Sequence, residues 1–227
     1  MLTGCASCKV RAHSAFCNLS EGPLAELERL SFVVVYPEQA ILFSEDDPCR
    51  GVFLLCAGKV KVSARSHDDR QLMLRVAEAG ETLGLSATVA GTPYDVTATT
   101  MAPSTVRFVK REEFLGFLRS SPETGLNAVQ ALSLEYQQAF ERLRSIALSH
   151  TATARIAQLL LRMAANSPQE AGNIRLLLTQ EQIAQLTCTT RETVTRFFAQ
   201  LRREQVIALR GSNLLIVDRV ALEKMAS

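Results

Sequence analysis

Thr179–Glu204 reads TQEQIAQLTCTTRETVTRFFAQLRRE, and its punctuation is that of two helices joined by a tight turn. Thr179 and Gln182 fit a capping box, in which the hydroxyl holds a backbone donor while the amide reaches back to the cap. Ile183, Ala184 and Leu186 give this first helix an apolar face. After the break at Thr187-Cys188-Thr189 comes a second box, Thr189 to Glu192, and the spacing predicts a second helix from Arg191 to about Arg203. Val194, Phe197, Phe198 and Leu201 fall on its packing side, leaving Arg191, Glu192, Thr195 and Arg196 near its N-terminal end. Arginine pairs bidentately with guanine and glutamate accepts from cytosine, so these residue types at this end point to a recognition helix in a major groove.

Thr193, Gln200 and Arg202 suit phosphate contacts, which fix register without reading sequence. Thr179, Thr189 and Thr190, at the helix starts, join the same DNA-contacting set. Downstream, Val206-Ile207-Ala208 and Asn213–Val217 flank Arg210-Gly211-Ser212, a β-hairpin wing whose Arg210 is placed for an adjacent phosphate. A capped helix pair is also compatible with a generic helical hairpin that meets protein instead of DNA.

Working outward, the 227 residues suffice for two modest domains, and the 47% hydrophobic, 21% charged composition is that of a folded globular chain. The net charge of +2 hides an asymmetry: residues 151–227 carry +4 and residues 1–150 carry −2. A basic C-terminal part suits a polyanion, weakly unless the charges share one face. From Phe32 to Lys110 the runs FVVVY, AILF, GVFLLC, KVKVSAR, QLMLRV, DVTATTM and STVRFVK are each bounded by Gly, Pro, Asp or Ser. They predict seven or eight strands of an antiparallel barrel or jelly roll, with reversals at Ala57-Gly58 and His67-Asp68-Asp69.

A short helix near Glu112–Arg119 precedes a longer one from Ser121-Pro122-Glu123. In it Val129, Leu132, Tyr136, Ala139, Leu143 and Ile146 alternate in steps of three and four, a heptad seam for pairing with a second copy. Packing on the barrel is the other reading of that stripe. The expected organisation is therefore α+β: a sensor domain over 1–120, a dimerisation helix over 121–150 and a winged helix-turn-helix over 151–227, with a helix over Thr153–Asn166 and a strand over Ile174–Leu178. No apolar run reaches the roughly 18 residues of a membrane span, and Met1–Arg11 carries cysteines and charges where an export signal needs an apolar stretch. The expectation is a cytoplasmic protein with no membrane contact.

Thr190-Arg191-Glu192-Thr193-Val194-Thr195-Arg196 resembles the recognition helix of the Crp/Fnr family, the cyclic-AMP receptor and fumarate-nitrate regulators. The resemblance extends to the β-roll with Gly58, Gly80 and Gly84 at turns and to the long helix. It implies a transcription regulator that binds double-stranded DNA as a homodimer on inverted repeats and works with RNA polymerase, with Arg191, Glu192 and Arg196 reading bases. In members that bind cyclic nucleotides a glutamate follows the G-E-x-x-G segment and an Arg-Ser pair cradles the phosphate. Here Leu85 follows Gly80-Glu81-Thr82-Leu83-Gly84, and Asp95-Val96 replaces Arg-Ser. A carboxylate repels a phosphate, so the expectation is that cyclic AMP is not the effector, while another small ligand in the roll stays open.

The other candidate sensor is Cys5, Cys8 and Cys17, spaced C-x2-C-x8-C. This group resembles the oxygen-sensing branch, which holds a [4Fe–4S] cluster with N-terminal cysteines and one from the roll. Val96 stands in the place of that distant cysteine, so a fourth ligand would come from Cys49, Cys56, His13, a carboxylate or an external group. Cys56 sits in an apolar run and reads as a small hydrophobe, whereas Cys49, beside Pro48 in a polar loop, reads as the accessible spare. Zinc, a reversible disulfide and plain thiols are the alternatives for the trio. Only three histidines are present and only His67 lies among the strands, and no nucleophile-base set or phosphate loop occurs. Catalysis is not expected.

Overall fold

The structure is a computed structural model that describes residues 5, 8, 14–65, 71–148, 151–165, 173–175, 178–210 and 213–226, without the side chains of 145–148, 173–175 and 210. His13, His67 and His150, and the side chains of Ile146 and Arg210, lie outside the described residues. The chain divides into two compact units, 1–138 and 139–227.

In the first unit, helix α1 (Glu21–Leu30) precedes strands β1 (Phe32–Tyr36), β2 (Ile41–Phe43), β3 (Gly51–Ala57), β4 (Lys59–Arg65), β5 (Gln71–Glu78) and β6 (Thr82–Leu83). A short α2 (Leu85–Ala90) leads to β7 (Thr97–Thr100) and β8 (Ser104–Lys110), followed by α3 (Arg111–Ser120) and α4 (Pro122–Leu148). The strands form two four-stranded antiparallel sheets, ordered β1-β8-β3-β6 and β2-β7-β4-β5. Phe43, Phe53, Leu55, Val60, Val62, Leu83, Tyr94 and Val106 fill the interior between them.

The expected reversal at Ala57-Gly58 is instead a crossing between sheets: β3 pairs with β6 and β8, and β4 with β5 and β7. Gly58 turns that corner with φ +99°, and a Cβ there would meet Ser104 Oγ at 2.2 Å, so only glycine fits. Gly84, at φ +74° under the Tyr94 ring, is the second such position.

Strands β3 and β8 are buried on both faces. Phe53, Leu55 and Val106 face the roll interior, while Val52, Leu54 and Val109 face outward beneath Phe16, Leu19, Leu24, Leu27, Phe114, Phe117 and Ala128. Thus the segment around Phe16, helices α1 and α3 and the first turns of α4 share one core against the sheet. Helix α1, which opens with Gly22 and Pro23, was not among the expected elements. Both fall in its first turn, where a missing amide donor costs nothing.

The second unit holds the remainder of α4, then α5 (Ala152–Ala165), β9 (Asn173–Arg175), α6 (Gln180–Leu186), α7 (Arg191–Arg203), β10 (Ile207–Arg210), β11 (Asn213–Ile216) and α8 (Arg219–Ala226). Its sheet runs β10-β11-β9, all antiparallel. The core joins Ile156, Ala157 and Leu160 of α5 to Ile183, Val194, Phe197, Phe198, Leu201, Ile207, Leu214 and Leu222.

Tyr94 pins the roll. Its ring stacks on Phe43 with centroids 4.1 Å apart, and its hydroxyl donates to Gly51 O at 2.7 Å while lying 3.1 Å from the amides of Arg50 and Gly51. Burial pushes its pKa up to about 12. Tyr94→Phe is expected to cost about 1–3 kcal/mol, the range for stranding buried partners of a lost hydrogen bond; urea unfolding of the variant against the parent measures it.

Candidate nucleic-acid interface and sensor

Helix α6 begins as its sequence dictates: Thr179 Oγ1 accepts from Gln182 N at 3.2 Å and Gln182 Oε1 from Thr179 N at 2.9 Å. It ends where Thr187, buried, turns its hydroxyl to Ile183 O at 2.7 Å and Cys188 takes φ +49°. The cap of α7 is Thr190, one residue later than expected. Its Oγ1 accepts from Thr193 N at 3.3 Å, so Glu192 lies in the first turn instead of closing a box with Thr189. Thr189 instead donates its amide to Ala184 O at 3.0 Å, which uses it to close the turn.

Two arginines hold the carbonyls that α6 leaves unpaired at its end. Arg155 of α5 donates to Thr187 O at 2.7 Å and Cys188 O at 3.1 Å, and Arg142 to Leu186 O at 3.0 Å. Neither had a signal in the sequence, since arginine on a helix face is ordinarily solvated. They fix the turn on which α7 is aimed.

Val194, Phe197, Phe198 and Leu201 bury one face of α7. Arg191, Glu192, Thr195, Arg196 and Arg202 are exposed, and Thr193 and Gln200 half-exposed, on the rest. The Thr195 hydroxyl lies 2.5 Å from Gln180 Oε1 and 2.9 Å from Arg191 O, tying the two helices together. Gln200 Nε2 donates to Glu204 at 3.0 Å along its own helix. The Glu192 carboxyl sits below its usual range through its own backbone amide and the Thr190 hydroxyl, so it stays ionised and accepting. The first turns of α7 therefore offer two cations and one anion on a rigid, solvent-facing surface.

Residues 33–121 match the model of the cyclic nucleotide-binding domain, and residues 154–225 that of the Crp-like helix-turn-helix domain. The chain belongs to the Crp/Fnr family of transcription regulators. It is 26% identical over 214 residues to the CRP-like cAMP-activated global transcriptional regulator of Mycobacterium tuberculosis, covering 93% of this chain and 95% of that one. It is 27% identical over 230 residues to the transcriptional activator protein FnrL of Cereibacter sphaeroides, covering 97% and 90%. FixK2 from Bradyrhizobium japonicum superposes with a TM-score of 0.76 at 21% identity, over 87% of this chain and 98% of that one. As a Crp/Fnr regulator, the chain is a DNA-binding protein with a sensory domain of the cyclic nucleotide-binding type, and its relatives are regulators, not enzymes.

In that sensory domain Leu85 is buried at the start of α2. Glu81 pairs with Arg75, whose other nitrogen lies 3.8 Å from Glu135 on α4. Burial holds the Glu135 carboxyl above its usual range; Arg75 opposes this, and Asp95 and Glu81 add to it. Three carboxylates and one guanidinium thus stand where the Crp/Fnr roll meets α4. None of them is the arginine of an Arg-Ser phosphate cradle.

Cys5 and Cys17 are buried and Cys8 half-buried, and the Cys8 amide donates to Cys5 O at 3.3 Å. None of the six cysteines is in a disulfide. Among the described residues no three His, Cys, Asp or Glu side chains are grouped tightly enough to hold an ion as they stand. Cys49 lies elsewhere, 3.3 Å from Thr88 Oγ1 and beside Tyr94.

The raised Glu135 pKa has a defined sign. A carboxyl that holds its proton more tightly when folded contributes stability below its unfolded pKa of about 4.3 and loses it as pH rises through the higher folded value. Glu135→Gln, a mimic of the protonated form, should melt above the parent by a margin that grows from pH 4 to pH 8. Thermal unfolding across that range measures it, and a constant margin would assign the effect to packing instead.

Proposed function

We propose that the protein acts as a homodimer on inverted-repeat operators, reading base edges with Arg191, Glu192 and Arg196 from the start of α7. The observation that carries this reading is the division of α7: one face locked in the core, the other presenting those three side chains to solvent. Thr179, Thr189, Thr190, Thr193, Gln200 and Arg202 would hold phosphates, with Arg210 on the wing and Thr195 beside the bases. RNA polymerase is the further partner this reading implies, and the cytoplasm the place; no described helix is long and apolar enough to cross a membrane.

Dimerisation is proposed through α4. Val129, Tyr136 and Leu143 are 59%, 70% and 61% exposed, and Ala139 is exposed with them. Val129, Leu132, Ser133, Tyr136 and Gln137 line a groove on that surface. Leu132, Ala131 and Ala128 pack partly on the roll core, so the stripe serves both readings given above: its inner edge packs on the roll and its outer edge is left for a second copy. In domain terms the sensor would comprise residues 1–120, the dimer helix 121–150 and the winged helix 151–227.

The signal is proposed to enter at Cys5, Cys8 and Cys17 through a [4Fe–4S] cluster. What supports it is the chemistry of the donors, soft thiols with the Arg107 guanidinium acting on Cys5 to offset negative charge; as they stand the three are not grouped around an ion. When bound, such a cluster supplies a centre whose integrity depends on oxygen and redox state. The rest is done by the chain itself. Asn127 of α4 donates to Ala15 O at 2.5 Å, and Glu123 accepts from the amide of Ser20 at 2.9 Å and its hydroxyl at 2.5 Å. These bonds fasten the cysteine segment to the dimer helix. The second reading, a small ligand in the roll, is favoured by the relative named as cAMP-activated; the carboxylates Glu81, Asp95 and Glu135 weigh against an anionic one.

Arg196→Ala should lower operator affinity by about 1–3 kcal/mol and relax preference at one position of each half-site. Fluorescence anisotropy against operator and scrambled duplexes at several salt concentrations checks this; an unchanged profile would remove Arg196 from the interface. Leu143→Glu should shift the protein to monomer in analytical ultracentrifugation and weaken operator binding at least tenfold at fixed protein concentration. A monomer with full affinity would separate dimerisation from recognition.

A further inference from the structure

We propose that Arg142 is a positioning residue on which the choice between operator and other DNA depends. It is not on α7; from the end of the dimer helix it holds the turn that aims α7. This rests on the reading above, in which α7 meets bases and α4 pairs with a second copy, and it adds the link between the two.

The turn needs holding from outside. Helix α6 ends at Leu186 and Thr190 caps α7, so the carbonyls of Leu186, Thr187 and Cys188 fall where a helix leaves its last carbonyls without partners of its own. Cys188 takes φ +49°, a left-handed conformation that is costly for a residue with a Cβ and persists only where the surroundings impose it. From within, the turn is closed by the Thr189 amide on Ala184 O at 3.0 Å and the buried Thr187 hydroxyl on Ile183 O at 2.7 Å. From outside, guanidinium donors take all three carbonyls. Arg155 donates to Thr187 O at 2.7 Å and Cys188 O at 3.1 Å, and Arg142 to Leu186 O at 3.0 Å. These oxygens are the negative end of α6, so a cationic donor is favoured both by charge and by hydrogen bond.

The two arginines differ in where they come from. Arg155 belongs to α5, whose Ile156 and Leu160 share a core with Val194 and Phe197, so its place is set within the winged helix itself. Arg142 comes from α4. It is half-buried, and burial, with the Arg162 cation adding to it and Cys188 opposing it, holds its pKa below the ordinary value. A guanidinium stays charged in such a place, and a charge drawn out of water depends on its acceptors as much as they depend on it. The next residue, Leu143, is 61% exposed on the stripe proposed to meet the second copy. Successive residues of a helix point about 100° apart, so a single turn of α4 serves two faces, Leu143 for the second copy and Arg142 for the end of α6. A shift of that turn moves the donor on Leu186 O, and with it the base from which Arg191, Glu192 and Arg196 are presented. Base edges are read by directional hydrogen bonds, whereas phosphate contacts carry no sequence information. A loosened turn therefore costs operator recognition and spares general affinity for DNA.

A duplex that wild type selects from a random pool, and its scrambled version, are titrated by fluorescence anisotropy at several salt concentrations. The full-length proteins are wild type, Arg142→Gln, Arg142→Lys and Arg202→Ala. Arg142→Gln is expected to lose at least about tenfold on the selected duplex, the scale of one hydrogen bond to a charged group. It should stay within about twofold on the scrambled duplex and keep the wild-type salt slope, because no phosphate contact is removed. Arg142→Lys, which keeps the charge and a donor, should recover most of the loss. Arg202→Ala, on a proposed phosphate, should weaken both duplexes and flatten the slope by about 0.9 for each phosphate released. In parallel, hydrogen exchange over residues 183–190 is compared in wild type and Leu143→Glu; the monomer should exchange faster there, with 194–201 unchanged. An Arg142→Gln protein that discriminates as wild type does, or loses equally on both duplexes, overturns the positioning role. Equal exchange over 183–190 in dimer and monomer overturns the link to α4, and decides the matter should Arg142→Gln fail to fold by circular dichroism. Leu143→Glu that remains a dimer overturns pairing through α4 and the link with it, leaving the positioning role to stand or fall on discrimination. Wild type that selects no sequence overturns the DNA-reading proposal itself, and this inference with it.

Discussion

The two-sided burial of β3 and β8 is the constraint from which the rest of the first unit follows. One face closes the roll on Phe53, Leu55 and Val106; the other has to be covered, and Phe16, Leu19, α1, α3 and the first turns of α4 cover it. A sheet face lined by Val52, Leu54 and Val109 would cost several kcal/mol if left in water, at roughly 1.5–3 kcal/mol per large aliphatic side chain. The same requirement that makes the roll stable thus brings the cysteine segment and the long helix onto one surface. Cysteine segment and helix are neighbours because they share that core.

Much of this was legible in the sequence because it is written in local patterns. The strands are bounded by Gly, Asp and Ser, the Thr179 capping box has a fixed spacing, and the apolar positions of α7 repeat at helical period. What was not legible depends on contacts between distant residues. The Ala57-Gly58 corner has the composition of a hairpin turn and differs from one only in what β3 and β4 pair with. Thr189 and Thr190 are chemically alike, and only the Thr189 amide's bond to Ala184 decides which of them caps α7. Helix α1 was hidden by Gly22 and Pro23, and the six-residue α2 by a composition, LSATVA, equally suited to a strand.

The candidate site divides in the same way. That Arg191, Glu192 and Arg196 face away from the core was legible from spacing alone, since helical period fixes their side of α7. Arg142 and Arg155, which hold the end of α6, were invisible because their partners are backbone carbonyls more than 30 residues away. Cys56 was read as a small hydrophobe from its apolar neighbours. It is half-buried at a register shift between Leu55 and Ala57, with its Sγ 3.7 Å from Leu54 O, and that shift cannot be read without the partner strand.

Helix α4 runs unbroken for 27 residues, about 40 Å at the usual rise, and only its first turns rest on the roll core. Such a rod has the proportions of a lever. A tilt of about 5° imposed at the Glu123 end would sweep the far end through about 3.5 Å, close to the 3.4 Å of helix axis per phosphate of one DNA strand. Under the proposed function, a disturbance no larger than a hydrogen bond exchanged at Ser20 would be magnified along this one helix to the scale of a base-pair step.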